Sequence, residues 1–193
     1  GRDFLGLRTL TVIHDAETAV QKHHPEFSIQ KLDYDDPDTY RMLGQGDTEG
    51  VFQLESSGMK QVLVGLQPQN LEDVIALISL YRPGPMDSIP TYLRNRHEPD
   101  KISYKTPQLA HILDVTNGCI VYQEQVMQIF RELAGFSFGQ ADNVRRAMSK
   151  KKHAVMEAER EHFVYGCTDP GNECPGCVAN GISEKVANEI YDE

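Results

Sequence analysis

The segment that best indicates the fold of this chain ends with Arg145-Arg146-Ala147-Met148-Ser149-Lys150-Lys151-Lys152. The pattern that leads into it begins near residue 140, and Ala141, Val144 and Met148 recur along one stripe at helical spacing. Lysines after the last turn suit the negative end of a helix dipole. The spacing predicts a helix over 140–149, docked through its apolar stripe.

The same stretch is a concentrated cationic site. It holds five cations in eight residues of a protein whose formal net charge is -10. Arg145, Ser149 and Lys152 form a second stripe beside the apolar one. A positive cluster on an acidic body typically holds a polyanion, and adjacent arginines favour phosphate because the guanidinium is a planar fork. A solvated basic surface is the alternative interpretation.

Patterns to either side predict a mainly α-helical fold with a few short strands. Helical periodicity, capping residues and Pro or Gly stops define the helices, and short apolar runs define the strands. Helices are predicted over 10–20, 38–43, 70–81, 106–113, 123–135 and from 184 onward, with strands at 50–54 and 119–122.

Composition limits the classes of protein that the chain could represent. A chain of 193 residues with 39% hydrophobic and 25% charged residues can bury one or two cores. A sequence pI near 5.1 argues against non-specific coating of nucleic acid. The apolar runs are too short to span a bilayer and no leader pattern opens the chain, so we expect no membrane partner. Four cysteines do not suggest a secreted disulfide scaffold, which predicts a cytoplasmic location.

A cysteine-rich segment follows the basic stretch. Cys174-Pro175-Gly176-Cys177 has the spacing of a zinc knuckle, Cys167 supplies a third thiolate and His162 could be a fourth ligand. A surface insertion with free thiols or a disulfide is the alternative. Cys119 lies in an apolar run and is predicted to be a core residue.

Five motifs occur in an order that resembles a known family. They are Asp3-Phe4-Leu5-Gly6-Leu7-Arg8-Thr9-Leu10-Thr11, Gly50-Val51-Phe52-Gln53-Leu54-Glu55-Ser56, Leu80-Tyr81-Arg82-Pro83-Gly84-Pro85, Val121-Tyr122-Gln123-Glu124-Gln125-Val126-Met127 and the opening stretch. Together they resemble the C family of replicative DNA polymerases, the alpha subunits of bacterial DNA polymerase III. The resemblance runs from residue 3 to about 162 and resumes over 180–193. It implies a fingers region with the last strip of the palm, cut from a longer protein.

The resemblance implies a DNA-directed DNA polymerase that transfers nucleotidyl groups in chromosomal replication with Mg²⁺. Asp3 matches the third catalytic, Mg²⁺-binding carboxylate of the family, whose other two belong to an upstream motif absent here. The fragment alone is therefore predicted to be inactive. Its implied partners are template-primer DNA, a deoxynucleoside triphosphate (dNTP) and other replicative holoenzyme subunits. The implied nucleotide-binding residues are Arg82, Arg145, Arg146, Lys150, Lys151 and Lys152.

The predicted organisation has three parts. Residues 1–24 form the end of the palm with a linking helix, and 25–97 form the first helical half of the fingers. Residues 98–193 form the second half, with a cysteine-containing insertion at 164–179. The alternative function is a non-catalytic nucleic-acid-binding module that uses a zinc knuckle and the basic helix.

Overall fold

The computed structural model describes residues 8–193, which fold into helices joined by short loops. The α-helices are α1 (Arg8–Gln21), α2 (Pro37–Gly44), α3 (Ser57–Leu66), α4 (Leu71–Leu80), α5 (Ile89–His97), α6 (Ala110–Leu113), α7 (Gln123–Ala134), α8 (Phe138–Ser149), α9 (His153–Tyr165), α10 (Gly176–Ala179) and α11 (Glu184–Asp192). Short 3-10 helices lie at Ile29–Lys31, Pro85–Ser88, Pro99–Lys101, Pro107–Leu109 and Asp114–Thr116. The predicted mainly helical fold is confirmed.

Side-chain caps fix where several helices begin. The Asn70 side chain accepts a hydrogen bond from the Asp73 N–H at 2.9 Å and starts α4 at the predicted place. Ser137 and Gln140 form a reciprocal capping box, with bonds of 3.2 and 2.8 Å. Because this box precedes the predicted start, α8 begins slightly earlier than expected. Ser183 caps α11 as predicted.

Neither predicted strand forms, and the part of the chain from residue 8 onward contains no strand. Residues 50–54 form turns instead, which the Thr48 hydroxyl closes by donating to the Leu54 carbonyl at 2.5 Å. The second run, 119–122, has no neighbouring strand. Its last two N–H groups donate to the Gln125 amide oxygen, at 2.8 and 2.9 Å. Side chains therefore satisfy the backbone groups that a sheet would have paired.

Two apolar cores hold the helices together. The first core packs α2 to α5, and its most buried members are Leu63, Leu66, Leu77, Leu80 and Tyr92. The second core packs α6 to α11, and its most buried members are Leu133, Ala141, Val144, Phe163 and Cys177. Cys119, as predicted, is a core residue, and together with Val121 it packs in the first core.

Helix α1 contributes no buried residue to either core. Leu10, Val12 and Ile13 on this helix are exposed. Its length and its end before Pro25 follow the predicted helical spacing.

Among residues 8–193, no helix combines the length and the apolar character that a bilayer crossing requires.

Candidate functional site

A cleft with a volume of about 690 Å³ lies where the two cores meet. Its apolar floor includes Val121 from the first core and Ile129 and Phe130 from the second. The cationic side chains that line it, among residues 8–193, are Arg82, Arg145 and Lys151. Three separate motifs therefore meet at one concave surface: the motif that contains Arg82, the motif that contains Val121, and the motif that contains Arg145 and Lys151.

Arg82 reaches the cleft from a rigid turn. Helix α4 ends at Leu80, because Pro83 and Pro85 cannot continue it. The Arg82 carbonyl accepts a hydrogen bond from the Met86 N–H at 3.2 Å, which closes the turn over Gly84. Arg82 is exposed at the cleft.

Arg145 is fixed by side chains from two helices. Its Nε and Nη2 atoms donate to the same Asp142 carboxylate oxygen at 3.0 and 2.7 Å. Its Nη1 atom donates to Gln123, at the start of α7, at 3.4 Å. Gln123 in turn donates to the Ser149 hydroxyl at 3.3 Å. The guanidinium is thus held in place at the cleft before any ligand arrives.

Arg146 shares the same carboxylate but faces elsewhere. Its Nη2 atom lies 2.8 Å from the second oxygen of Asp142, and its side chain is 64% exposed, against 32% for Arg145. Arg146 is absent from the cleft lining. Consecutive helical residues point about 100° apart, and in this structure only Arg145 of the two lines the cleft.

Asp142 is a site residue that was not predicted from the sequence. The Arg145 hydrogen bond, and then the charge of both arginines, lower the pKa of Asp142 below its usual value, so the group stays a carboxylate. The signal was present in the sequence, because Asp142 precedes the arginines by three and four positions, the spacing of helical ion pairs. Gln123, to which no binding role was assigned from the sequence, also contacts Arg145.

The three lysines form the turn between α8 and α9. All three are exposed, and only Lys151 lines the cleft. Lys151 has a φ of 51°, a left-handed backbone conformation that is uncommon for a residue with a side chain. This backbone turn separates Lys151 from Lys150 and Lys152, which lie outside the cleft lining. Asp3, the predicted magnesium ligand, lies outside the described residues.

The structure does not assemble the predicted zinc ligands. No group of three or more His, Cys, Asp or Glu side chains within residues 8–193 is arranged to hold a metal ion. Helix α10 carries Cys177 into the second core, where burial raises the pKa of its thiol to about 12. Burial also raises the pKa of Cys174, and His162 pairs with Glu159 at 3.5 Å.

The fold and the cleft place this chain among helical domains with a cleft lined by cationic side chains. A family model described as the finger domain of the bacterial DNA polymerase III alpha subunit matches residues 9–171. The chain is 48% identical over 191 residues to DNA polymerase III subunit alpha of Staphylococcus aureus (strain COL) and 47% identical to that of Staphylococcus epidermidis (strain ATCC 12228 / FDA PCI 1200). The chain belongs to the finger domain family of bacterial DNA polymerase III alpha subunits. The two alignments cover 98% of this chain but 17% of each relative.

Proposed function

We propose that this chain is the fingers part of a replicative DNA-directed DNA polymerase and that its cleft binds the triphosphate of an incoming dNTP. The observation that carries the proposal is the meeting of Arg82, Arg145 and Lys151 at one cleft with an apolar floor. A dNTP has the matching chemistry, since its phosphates are anionic and its base is largely apolar. The family membership reported above supports the same role.

Arg145 is the central phosphate ligand in this proposal. Its planar fork can donate two parallel hydrogen bonds to phosphate oxygens. Asp142 occupies the Nε–Nη2 edge of the guanidinium in the unliganded chain, so a phosphate that binds this edge takes the place of the carboxylate. The displaced Asp142 keeps Arg146 as a partner at its other oxygen. After the exchange Arg145 is paired with phosphate and Asp142 with Arg146, so none of these three charged side chains is left without a partner.

The cations outside the cleft lining have a second role. Arg146, Lys150 and Lys152 are exposed and adjoin Arg145 and Lys151 in the sequence. We assign Arg146 to the outer phosphates, and Lys150 and Lys152 to the backbone of the template-primer, where contacts add affinity without base specificity.

The rest of the chemistry belongs to the whole polymerase. Mg²⁺ would neutralise phosphate charge and activate the primer hydroxyl, with Asp3 as one of its carboxylate ligands. A cytoplasmic location and contacts with other replicative subunits follow from the same proposal.

The proposal predicts a kinetic defect when Arg145 is removed. In a whole polymerase that carries this chain, Arg145→Ala should reduce kcat/KM for dNTP by about 2–4 kcal/mol of transition-state stabilisation, the scale of one lost charged donor. Steady-state primer extension at varied dNTP concentration gives the measurement. Arg146→Ala should cost less, because that side chain lies outside the cleft lining.

Arg41→Ala provides the matched control. Arg41 pairs with Asp38 three residues earlier on α2, at 2.7 Å, the same spacing and distance as Arg145 and Asp142. Its removal should leave the nucleotide kinetics unchanged. If Arg145→Ala lowers the melting temperature but not kcat/KM, Arg145 is a structural residue and the proposed phosphate site is wrong.

A further inference from the structure

Two cysteines face each other at the base of the loop between α9 and α10. The Cys167 N–H donates to the Cys174 carbonyl at 2.9 Å, and the reverse hydrogen bond is also 2.9 Å long. The two residues thus form an antiparallel bridge. Directly opposed residues of this kind have Cα atoms about 5.5 Å apart and side chains on the same face. That Cα separation lies within the range that a disulfide spans, and the Cβ atoms, about 5.5 Å apart in a pair of this kind, must approach to about 4.5 Å or less for the bond to form.

A tight backbone crossing holds this pair in register. A Cβ atom on Gly166 would lie 2.5 Å from the carbonyl oxygens of Cys174 and Pro175, and one on Gly176 would overlap the Gly166 backbone. Both glycines have positive φ values, 94° and 81°. The two segments therefore cross at contact distance, and Cys167 cannot slide past Cys174.

The two thiols differ in access to solvent. Cys167 is partly exposed, whereas Cys174 is 8% exposed. Both line a small polar cavity of about 200 Å³, together with His162 and Asn143. A small reagent can enter this cavity and meet Cys167 first. Cys177 is fully buried in the second core and does not line the cavity.

We propose that Cys167 and Cys174 form a site of reversible thiol–disulfide exchange with low-molecular-weight disulfides. The Cys167 thiolate attacks one sulfur of the small disulfide, which forms a mixed disulfide and releases the first small thiol. Cys174 then attacks the Cys167 sulfur, forms the Cys167–Cys174 bond and releases the second small thiol. The two cysteines lose two electrons and two protons, and the small disulfide gains both. Excess small thiol reverses both steps.

The bond should need only a small local approach of the two bridged residues and no rearrangement of the cores, since the backbone bridge already exists in the reduced chain. It would pin the loop 168–173 at its base and leave the cleft unchanged. This inference does not depend on the proposed nucleotide site, and the two can fail separately.

Peptide mapping of the folded protein tests the proposal. The protein is incubated with bis(2-hydroxyethyl) disulfide, quenched in acid, alkylated and cleaved after glutamate, which separates Cys167 from Cys174 at Glu173. We expect a Cys167–Cys174 linkage that dithiothreitol removes. Cys119, which is buried in the first core, should remain unmodified and shows that the protein stayed folded.

Single variants identify the order of the steps. Cys174→Ala should lose the linkage and accumulate the mixed disulfide on Cys167, whereas Cys167→Ala should lose both products. Cys177→Ala should retain the linkage. A bond from Cys167 to Cys177, or full alkylation of Cys167 at every disulfide concentration, would overturn the proposal. Stoichiometric zinc in elemental analysis, with Cys167 and Cys174 protected from exchange, would overturn it as well.

Discussion

At the scale of single residues, one carboxylate organises the cationic site. Asp142 binds Arg145 through one oxygen and Arg146 through the other, so its loss changes both guanidinium groups at once. Its pKa is lowered from 3.8, mainly by the Arg145 hydrogen bond. A group whose pKa is lower in the folded state stabilises the fold above its unfolded pKa and loses that effect as the pH falls through the folded value. The ion pairs of Asp142 with Arg145 and Arg146 are therefore intact at neutral pH.

Asp142→Asn tests whether Asp142 positions Arg145, because the change removes the carboxylate and leaves the charge of Arg145 in place. Without the carboxylate, Arg145 meets less competition from its own helix but is also less firmly held. In the whole polymerase we expect both KM for dNTP and kcat to fall, with the activation free energy for kcat raised by about 1.5–3 kcal/mol, the scale of one lost charged hydrogen bond. Steady-state kinetics provides the measurement. Asp38→Asn, which removes the equivalent partner of Arg41, should change neither constant. A raised KM with unchanged kcat would contradict a positioning role.

At the scale of elements, local signals predicted the helix starts better than the loops. Asn70 and Ser183 cap helices as predicted, because capping involves residues only a few positions apart. The strand at 50–54 was wrong, because a short apolar run does not reveal that Thr48 closes it into turns. Helix α3 was missed, although the Ser56 cap and the apolar spacing that follows it were visible in the sequence.

The same limit explains the site predictions. The cationic residues were found from charge and motif, but the face that each one occupies depends on how α8 packs. Lys151 reaches the cleft through a left-handed backbone that no local pattern indicated. The cysteine arrangement depends on the crossing at Gly166, a contact between segments that spacing alone does not reveal.

The start of α7 depends on one buried amide. Gln125 is 5% exposed, accepts from two backbone N–H groups, and donates to the Thr116 hydroxyl at 2.7 Å. Gln125→Leu would leave the N–H groups of Val121 and Tyr122 without partners, at a cost of about 1–3 kcal/mol for each unsatisfied group. We expect the free energy of unfolding, from urea titration, to fall by at least that amount. Gln128→Leu, on the exposed face of the same helix, should change it little. Equal effects of the two changes would show that the Gln125 network contributes nothing.

At the scale of the whole molecule, the described residues of this chain form two packed cores. It spans 17% of the length of the relatives it matches. Two magnesium ions in a nucleotidyl transfer site require several carboxylates, and Asp3 is the one that the resemblance assigns. Folding and catalysis should therefore separate in this chain.

The purified chain should unfold cooperatively but should not extend a primer. Circular dichroism during urea titration measures the first property, and incorporation of labelled dNTP on a primed template measures the second. A whole polymerase that contains the same sequence, assayed in parallel, shows that the conditions support extension. Extension by the chain itself, after contaminating polymerase has been excluded, would show that the catalytic carboxylates lie within it.

The crossing of Gly166 and Gly176 also constrains how this sequence can change over evolutionary time. Neither glycine can be replaced by a residue with a side chain while the backbone of the opposing segment lies against it. A substitution at either position therefore requires that the opposing backbone first moves away. The loop 168–173 between them lies away from both cores and is free of that restriction. Drift in this part of the molecule should therefore appear as changes in loop length and composition, bounded on each side by a glycine that stays fixed.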